Sequence, residues 1–176
     1  VIENGWLQLE PDKNSGFNRL ITAAPDDDWT FNARMEYIPS AKGDFAGVAA
    51  MQDDDNYVVA GRILSGNEQK LFIGKAVNGS VIIYDSVSDL KADEFVNIQI
   101  QRIGAYYSAV YSYDNGQTWQ FIGRIYCNYS DESAGIIVNG GKNAKYDYVT
   151  FGNCINDGET LNFAQYPAET DLEYYS

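Results

Sequence analysis

The stretch that decides the fold class is Phe95-Val96-Asn97-Ile98-Gln99-Ile100-Gln101-Arg102. Val96, Ile98 and Ile100 alternate with Asn97, Gln99 and Gln101, a period of two that belongs to a strand with one apolar face and one amide-bearing face. Working outward, similar runs rich in β-branched and aromatic residues recur at 5–10, 19–24, 29–38, 45–52, 57–64, 70–77, 81–87, 95–103, 106–113, 119–126, 134–139 and 145–151. A spacing of roughly ten residues suits a sandwich or barrel. The punctuation agrees: Asn78-Gly79 and Asn115-Gly116 separate such runs where a tight hairpin needs residues tolerant of positive φ. Asn4-Gly5 and Asn139-Gly140-Gly141 mark further turns, and Pro25-Asp26-Asp27-Asp28 and Asp53-Asp54-Asp55-Asn56 read as acidic breakers. Only Val87 to Glu94 has room for a helical turn. The expectation is an all-β protein of about twelve short strands in two stacked antiparallel sheets.

Composition narrows the function. The 176 residues carry a formal net charge of −13, which repels phosphate backbones and anionic membranes, so neither nucleic acid nor a bilayer is an expected partner. No run of about 18 apolar residues exists to form a spanning helix. His is absent, which removes the imidazole base, the triads built on it and the commonest zinc ligand. Aromatics are abundant, with 14 Tyr, 8 Phe and 3 Trp, so flat apolar faces with polar tips are in ample supply. Residues 1–156 read as one sandwich domain. Residues 157–176 lack alternation and read as a tail or linker, or as a segment whose Phe163, Tyr166, Tyr174 and Tyr175 pack back on the sandwich or a neighbour. Val1, with neither initiator Met nor signal stretch, fits a processed protein or, more economically, an excised module.

Ser112-Tyr113-Asp114-Asn115-Gly116-Gln117-Thr118-Trp119 matches the Ser-x-Asp-x-Gly-x-Thr-Trp "Asp-box" of sialidase propellers. One copy without an arginine cluster reads as a hairpin: Asp114 accepts backbone N–H groups, Gly116 takes the left-handed conformation and Trp119 covers the loop. No internal period of 20–50 residues supports a propeller. Around this hairpin lie Asn4-Gly5-Trp6-Leu7-Gln8-Leu9, Trp29-Thr30-Phe31 to Tyr37, Phe45-Ala46-Gly47-Val48, Asp55-Asn56-Tyr57-Val58, Ile98 to Trp119, Ala134-Gly135 and Tyr146-Asp147-Tyr148. In this order they resemble the concanavalin A-like β-sandwich at the C-terminus of β-xylosidase and arabinofuranosidase-type enzymes and in related modules of secreted glycanases. The resemblance covers residues 4–152.

What it implies is a jelly-roll-like, non-catalytic, secreted domain. It serves either as a carbohydrate-binding module for a neutral β-glycan or hemicellulose, or as a structural partner of neighbouring catalytic or scaffold modules. A monomer is expected. The catalytic signature of concanavalin-like glycanases, Glu-x-Asp-x-x-Glu with its carboxylates about 5 Å apart on the concave face, is missing. Glu36 and Glu68 have no partner at the needed spacing.

Sugar binding needs aromatic faces for stacking and planar polar groups for hydroxyls. Tyr57, Arg62 and Tyr84 are candidates, as are Tyr107 and Tyr111, which alternation places with Tyr113 on one face of a strand and Tyr106 on the other. That tyrosine face fits a binding platform or the core of a Tyr-rich sandwich. Gln99 and Gln101, beside it, fit a ligand-binding row or an ordinary solvated face. Cys127 and Cys154 fit a disulfide or two buried thiols. For a cofactor, a structural calcium ion between Glu3 in the first strand and Asp147 in the last is the expectation, since jelly-roll modules often join those strands by calcium.

Overall fold

In a computed structural model of the chain, residues 1–153 and 159–162 are described, and among them every regular element is a strand. The strands are β1 (Ile2–Glu3), β2 (Trp6–Leu9), β3 (Phe17–Ala23), β4 (Trp29–Glu36), β5 (Phe45–Met51), β6 (Tyr57–Ser65) and β7 (Glu68–Val77), then β8 (Ser80–Ser88), β9 (Val96–Ile103), β10 (Tyr106–Ser112), β11 (Gln120–Tyr126), β12 (Ser133–Asn139), β13 (Ala144–Asn153) and β14 (Glu159–Asn162). All twelve expected runs are strands. The two additions are β1 and β14, the latter pairing with β13 inside the segment read as a tail. Val87 to Glu94 is not helical: β8 continues to Ser88 and a tight turn follows.

The strands form two antiparallel sheets. The larger runs β1-β2-β13-β4-β9-β10-β11, with β14 added to β13, and the smaller runs β3-β12-β5-β6-β7-β8. Between them lies the main core, in which Trp29, Phe31, Met35, Ile98, Ile100, Tyr107 and Tyr146 of the large sheet meet Val48, Val58, Leu71, Ile73 and Ile136 of the small one. The Tyr146 hydroxyl crosses this core to the carbonyls of Gly47 (3.0 Å) and Ile137 (2.9 Å), tying the sheets together.

A second cluster, Phe45, Ala49, Met51, Tyr57, Val59, Ile63, Phe72, Ala76 and Ile137, is buried on the opposite face of the small sheet. Sheet curvature explains it. Phe17 and Tyr57 occupy diagonal corners of the β3-β12-β5-β6 patch. On a flat sheet these corners stand about 14 Å apart across the strands and about 20 Å along them, yet the ring centroids are 5.9 Å apart. The small sheet therefore curls into a cup that its own side chains fill. Gly47 and Gly61, directly opposed, permit the close backbone approach, because a Cβ on either would lie 1.9 Å from a carbonyl oxygen of the facing strand.

The Asp-box hairpin forms as read. Asn115 (φ 59°) and Gly116 (φ 83°) make the turn, and the Asp114 carboxylate accepts bonds from Ser112 Oγ (2.7 Å), Thr118 N (2.8 Å) and Thr118 Oγ1 (2.6 Å). Trp119 lies over Gly116 but stays 38% exposed, so it anchors the loop and not the core.

Candidate glycan-binding face

The site grows from the alternation along β9 and β10. Val96, Ile98 and Ile100 of β9 and Tyr107, Ala109 and Tyr111 of β10 point into the core. Asn97, Gln99, Gln101 and Ile103, with Tyr106, Ser108, Val110 and Ser112, therefore share the outer face of the large sheet. Strand β11 reaches the same face by a bulge. Ala109 faces Gly123 while Val110 faces Phe121, so Ile122 is the extra residue and turns into the core. That extra residue lets Phe121 and Arg124, three positions apart, stand on one face together with Tyr126.

Cross-strand register orders these side chains in rows. Tyr106 lies between Ile103 and Tyr126, Ser108 between Gln101 and Arg124, and Val110 between Gln99 and Phe121. Strand β4 extends two rows with Thr30 beside Gln101 and Asn32 beside Gln99. Three aromatics are well exposed, Tyr106 at 50%, Phe121 at 57% and Tyr126 at 67%. The Tyr106 and Tyr126 rings meet edge-on at 5.4 Å, and the Arg124 guanidinium lies 5.9 Å from the Tyr106 ring centre. Arg124 Nε donates to Ser108 Oγ at 2.9 Å. With strands about 4.8 Å apart, the Gln101–Ser108–Arg124 row spans about 10 Å. Behind it the amides are locked: Asn97 Nδ2 donates to Tyr148 Oη (2.8 Å) and Asn32 Oδ1 (3.3 Å), and Asn32 Nδ2 donates to Thr150 Oγ1 (2.9 Å). Half-exposed rings beside the part-exposed Gln99 and Gln101 amides and the Ser108 hydroxyl form a surface on which a polyhydroxylated ligand can stack and hydrogen-bond.

Of the side chains singled out from the sequence, Gln99 and Gln101 lie on this face. Tyr84 is exposed at 57%, but on β8, at the edge of the other sheet. The remaining four are interior. Tyr57 fills the cup of the small sheet, where burial and then the nearby Asp55 and Asp54 push its hydroxyl up to about 12. Arg62 is fully buried against Asp89 (Nε–Oδ2 2.6 Å) and donates to the carbonyls of Glu94 and Lys91. Tyr107 is buried and donates to the Glu132 carboxylate, which also accepts from Trp29 Nε1 and pairs with Arg102. Its hydroxyl is pushed well above the tyrosine range, first by burial and then by Glu132. Tyr111 is buried and donates to Gln120 Oε1. The tyrosine face of β10 is thus core, and the exposed aromatics lie on the opposite face. Tyr106, Phe121, Arg124 and Tyr126 are the additions. Tyr106 follows from alternation once Tyr107 is known to face inward, whereas the bulge hides the other three from a period-two reading.

The expected calcium pair does not assemble. Strand β2 runs between β1 and β13, Glu3 accepts from Gln8 Nε2 (2.6 Å), and Asp147 is ion-paired with Arg34. Among the described residues no three His, Cys, Asp or Glu side chains converge. In the acidic loops, Asp53 closes its own turn through Asn56, Asp54 pairs with Arg19, and Asp28 accepts from Gly104 N. Cys127 is a buried free thiol, and Cys154 lies outside the described residues.

The architecture defines the class, a concanavalin A-like β-sandwich. Within it, the sequence family described as the β-xylosidase C-terminal concanavalin A-like domain matches residues 3–150, and the chain belongs to that family. Among solved structures it is similar to a xylan β-1,4-xylosidase from Bacillus halodurans, with 14% identity, a TM-score of 0.69 and coverage of 84% of this chain and 33% of that one. It is also similar to Bacteroides ovatus xyloglucan PUL GH43B (16%, TM-score 0.63, 76% and 29%) and to the carbohydrate-binding module CBM66 from Bacillus subtilis (13%, TM-score 0.59, 85% and 96%). At these identities the likeness is one of fold. The chain spans about a third of the length of the two glycoside hydrolases. A comparison with curated protein sequences gave no match.

Proposed function

We propose that this domain is a non-catalytic glycan-binding module of a secreted polysaccharide-degrading enzyme, acting as a monomeric unit beside a catalytic module. Its ligand is a hemicellulose or other β-glycan with a neutral backbone, held on the outer face of β9, β10 and β11. The observation that carries the reading is that face: Tyr106, Phe121 and Tyr126 are half or more exposed beside the amides of Gln99 and Gln101. The family match and the resemblance in fold to a carbohydrate-binding module support it. Glu36 and Glu68, the strand carboxylates considered for catalysis, are engaged by Lys145 and by Lys70 with Ser88.

The test is retardation on gels containing xylan, arabinan, xyloglucan or mixed-linkage glucan, for the wild type and for Tyr106→Ala, Phe121→Ala and Tyr126→Ala. Micromolar to millimolar binding to at least one polymer is expected, weakened about 2- to 10-fold by each loss of a stacking ring. A folded wild type that runs unretarded on every gel overturns the reading. A second reading, in which the domain supports a catalytic module without glycan affinity, draws on β8: this edge strand exposes Ile82, Ile83 and Tyr84 consecutively, a surface suited to a neighbouring domain.

A further inference from the structure

The chain has five arginines, and four of them face a carboxylate: Arg19 with Asp54, Arg34 with Asp147, Arg62 with Asp89 and Arg102 with Glu132. Arg124 makes no ion pair among the described residues. Instead its Nε donates to Ser108 Oγ and its guanidinium carbon stands 5.9 Å from the Tyr106 ring centre, and among the described residues neither terminal nitrogen has a hydrogen-bond partner. A guanidinium held this way is pre-organised for a bidentate carboxylate.

The surroundings are unusual for so acidic a protein. Strands β9, β10 and β11 contain no Asp or Glu, although the chain as a whole has 25. Farther along the same sheet, Glu36 of β4 is paired with Lys145 and Asp147 of β13 with Arg34. The outer face of β9–β11 therefore carries Arg124 and no carboxylate of its own within a chain of net charge −13, while Asp85 of β8 in the other sheet packs against Gly123 beside it. Screening at physiological salt acts over about 8 Å, so a single carboxylate arriving at Arg124 meets this local field. A long polyanion would meet the repulsion of the whole molecule.

We infer that this face takes a glycan with a neutral backbone carrying sparse uronic acid substituents, with the backbone on the Tyr106, Gln99 and Gln101 rows and a substituent carboxylate on Arg124. Strand β11 is the last strand of its sheet, so a side group extending past the backbone rows meets Arg124 there. The inference rests on the glycan-binding reading above and names the substituent that this face recognises.

The experiment uses xylan bearing glucuronic acid side groups, the same polymer after chemical reduction of its carboxyl groups, and polygalacturonate. They are run against the wild type, Arg124→Gln and Arg124→Lys at low and high NaCl. The expected result is about 3- to 10-fold tighter binding of the wild type to the carboxylated than to the reduced xylan, in the range of a well-placed charged hydrogen-bond pair. That preference should vanish in Arg124→Gln and at high salt, and shrink in Arg124→Lys, with the melting temperature of both variants at the wild-type value. Equal binding of the wild type to the two xylans overturns the carboxylate assignment while leaving glycan binding intact. Absence of binding to either overturns both. Binding to polygalacturonate as tight as to the carboxylated xylan reduces the effect to ion exchange and overturns the assignment as well.

Discussion

Arg62 separates a stabilising role from a ligand role most sharply. Its side chain and that of Asp89 are both fully buried. Nε lies 2.6 Å from Asp89 Oδ2, Nη1 donates to Glu94 O at 2.6 Å, and Nη2 donates to Lys91 O at 2.7 Å. Asp89 also accepts from the Tyr113 hydroxyl and from Lys91 N. One guanidinium therefore fastens the turn between β8 and β9 to the end of the sandwich. Replacing it with Met keeps the volume but leaves the Asp89 charge buried without its cation and two carbonyls without donors. Breaking a buried pair on one side costs about 3–5 kcal/mol, and for a domain of this size that lowers Tm by roughly 6–20 °C. Because the cost is mostly the stranded charge, Arg62→Met with Asp89→Leu should recover to within about 2 kcal/mol of the wild type. Urea unfolding followed by tryptophan fluorescence gives the stabilities, and affinity gels run well below the melting point give binding. The reasoning fails if Arg62→Met melts with the wild type, and it fails doubly if that stable variant has lost glycan retardation.

Two further outcomes test the fold. The Asp114 carboxyl is held down to about 2 by hydrogen bonds from Ser112 and from the side chain and backbone of Thr118. A carboxylate whose folded value lies below its unfolded one stabilises the fold above about pH 4 and loses that contribution as pH falls toward 2. The urea midpoint of the wild type should therefore drop more steeply over that window than that of Asp114→Asn, and parallel curves would remove the hairpin's role. Gly61→Ala places a methyl 1.9 Å from Ala46 O, a backbone atom, so soluble folded protein should be lost. Recovery of a cooperative Gly61→Ala domain with wild-type Tm would contradict the close approach of β5 and β6.

The strands were legible because their signals are local. Alternation from Val96 to Gln101 depends on neighbours two apart, and the positive φ at Asn78 and Asn115 is what Asn-Gly turns require. The inward face of β10 was half legible: Tyr106, Ser108, Val110 and Ser112 include two serines, whereas Tyr107, Ala109 and Tyr111 are apolar apart from their hydroxyls, a contrast that points the second set inward. Arg62 looked available because its partner lies 27 residues away, on a turn that only the folded chain brings near. The β11 bulge was beyond sequence reasoning, since a single extra residue changes which side chains share a face and nothing in Gln120 to Tyr126 announces it. The second core was equally hidden. A strand pattern says which residues share a face, and not that the sheet will curl until that face closes.

That curl bears directly on where a ligand can lie. Concanavalin-like glycanases hold their reacting carboxylates on a concave face, but the cup of the small sheet is occupied by Phe45, Met51, Tyr57 and Phe72, so a polymer has no room there. The outer face of β9–β11 is open, and its composition is poorly explained by stability alone. Exposed rings on an edge strand such as β11 invite self-association, and soluble proteins usually protect such strands with charge. This chain has acidic residues to spare, yet it places none on these three strands and sets Phe121, Arg124 and Tyr126 at the margin instead. The residues that hold the fold, Arg62, Glu132 and Tyr146, are all buried away from that surface. Substitutions at Tyr106, Phe121, Arg124 and Tyr126 can therefore alter what the face contacts while leaving intact the interactions that keep the sandwich closed.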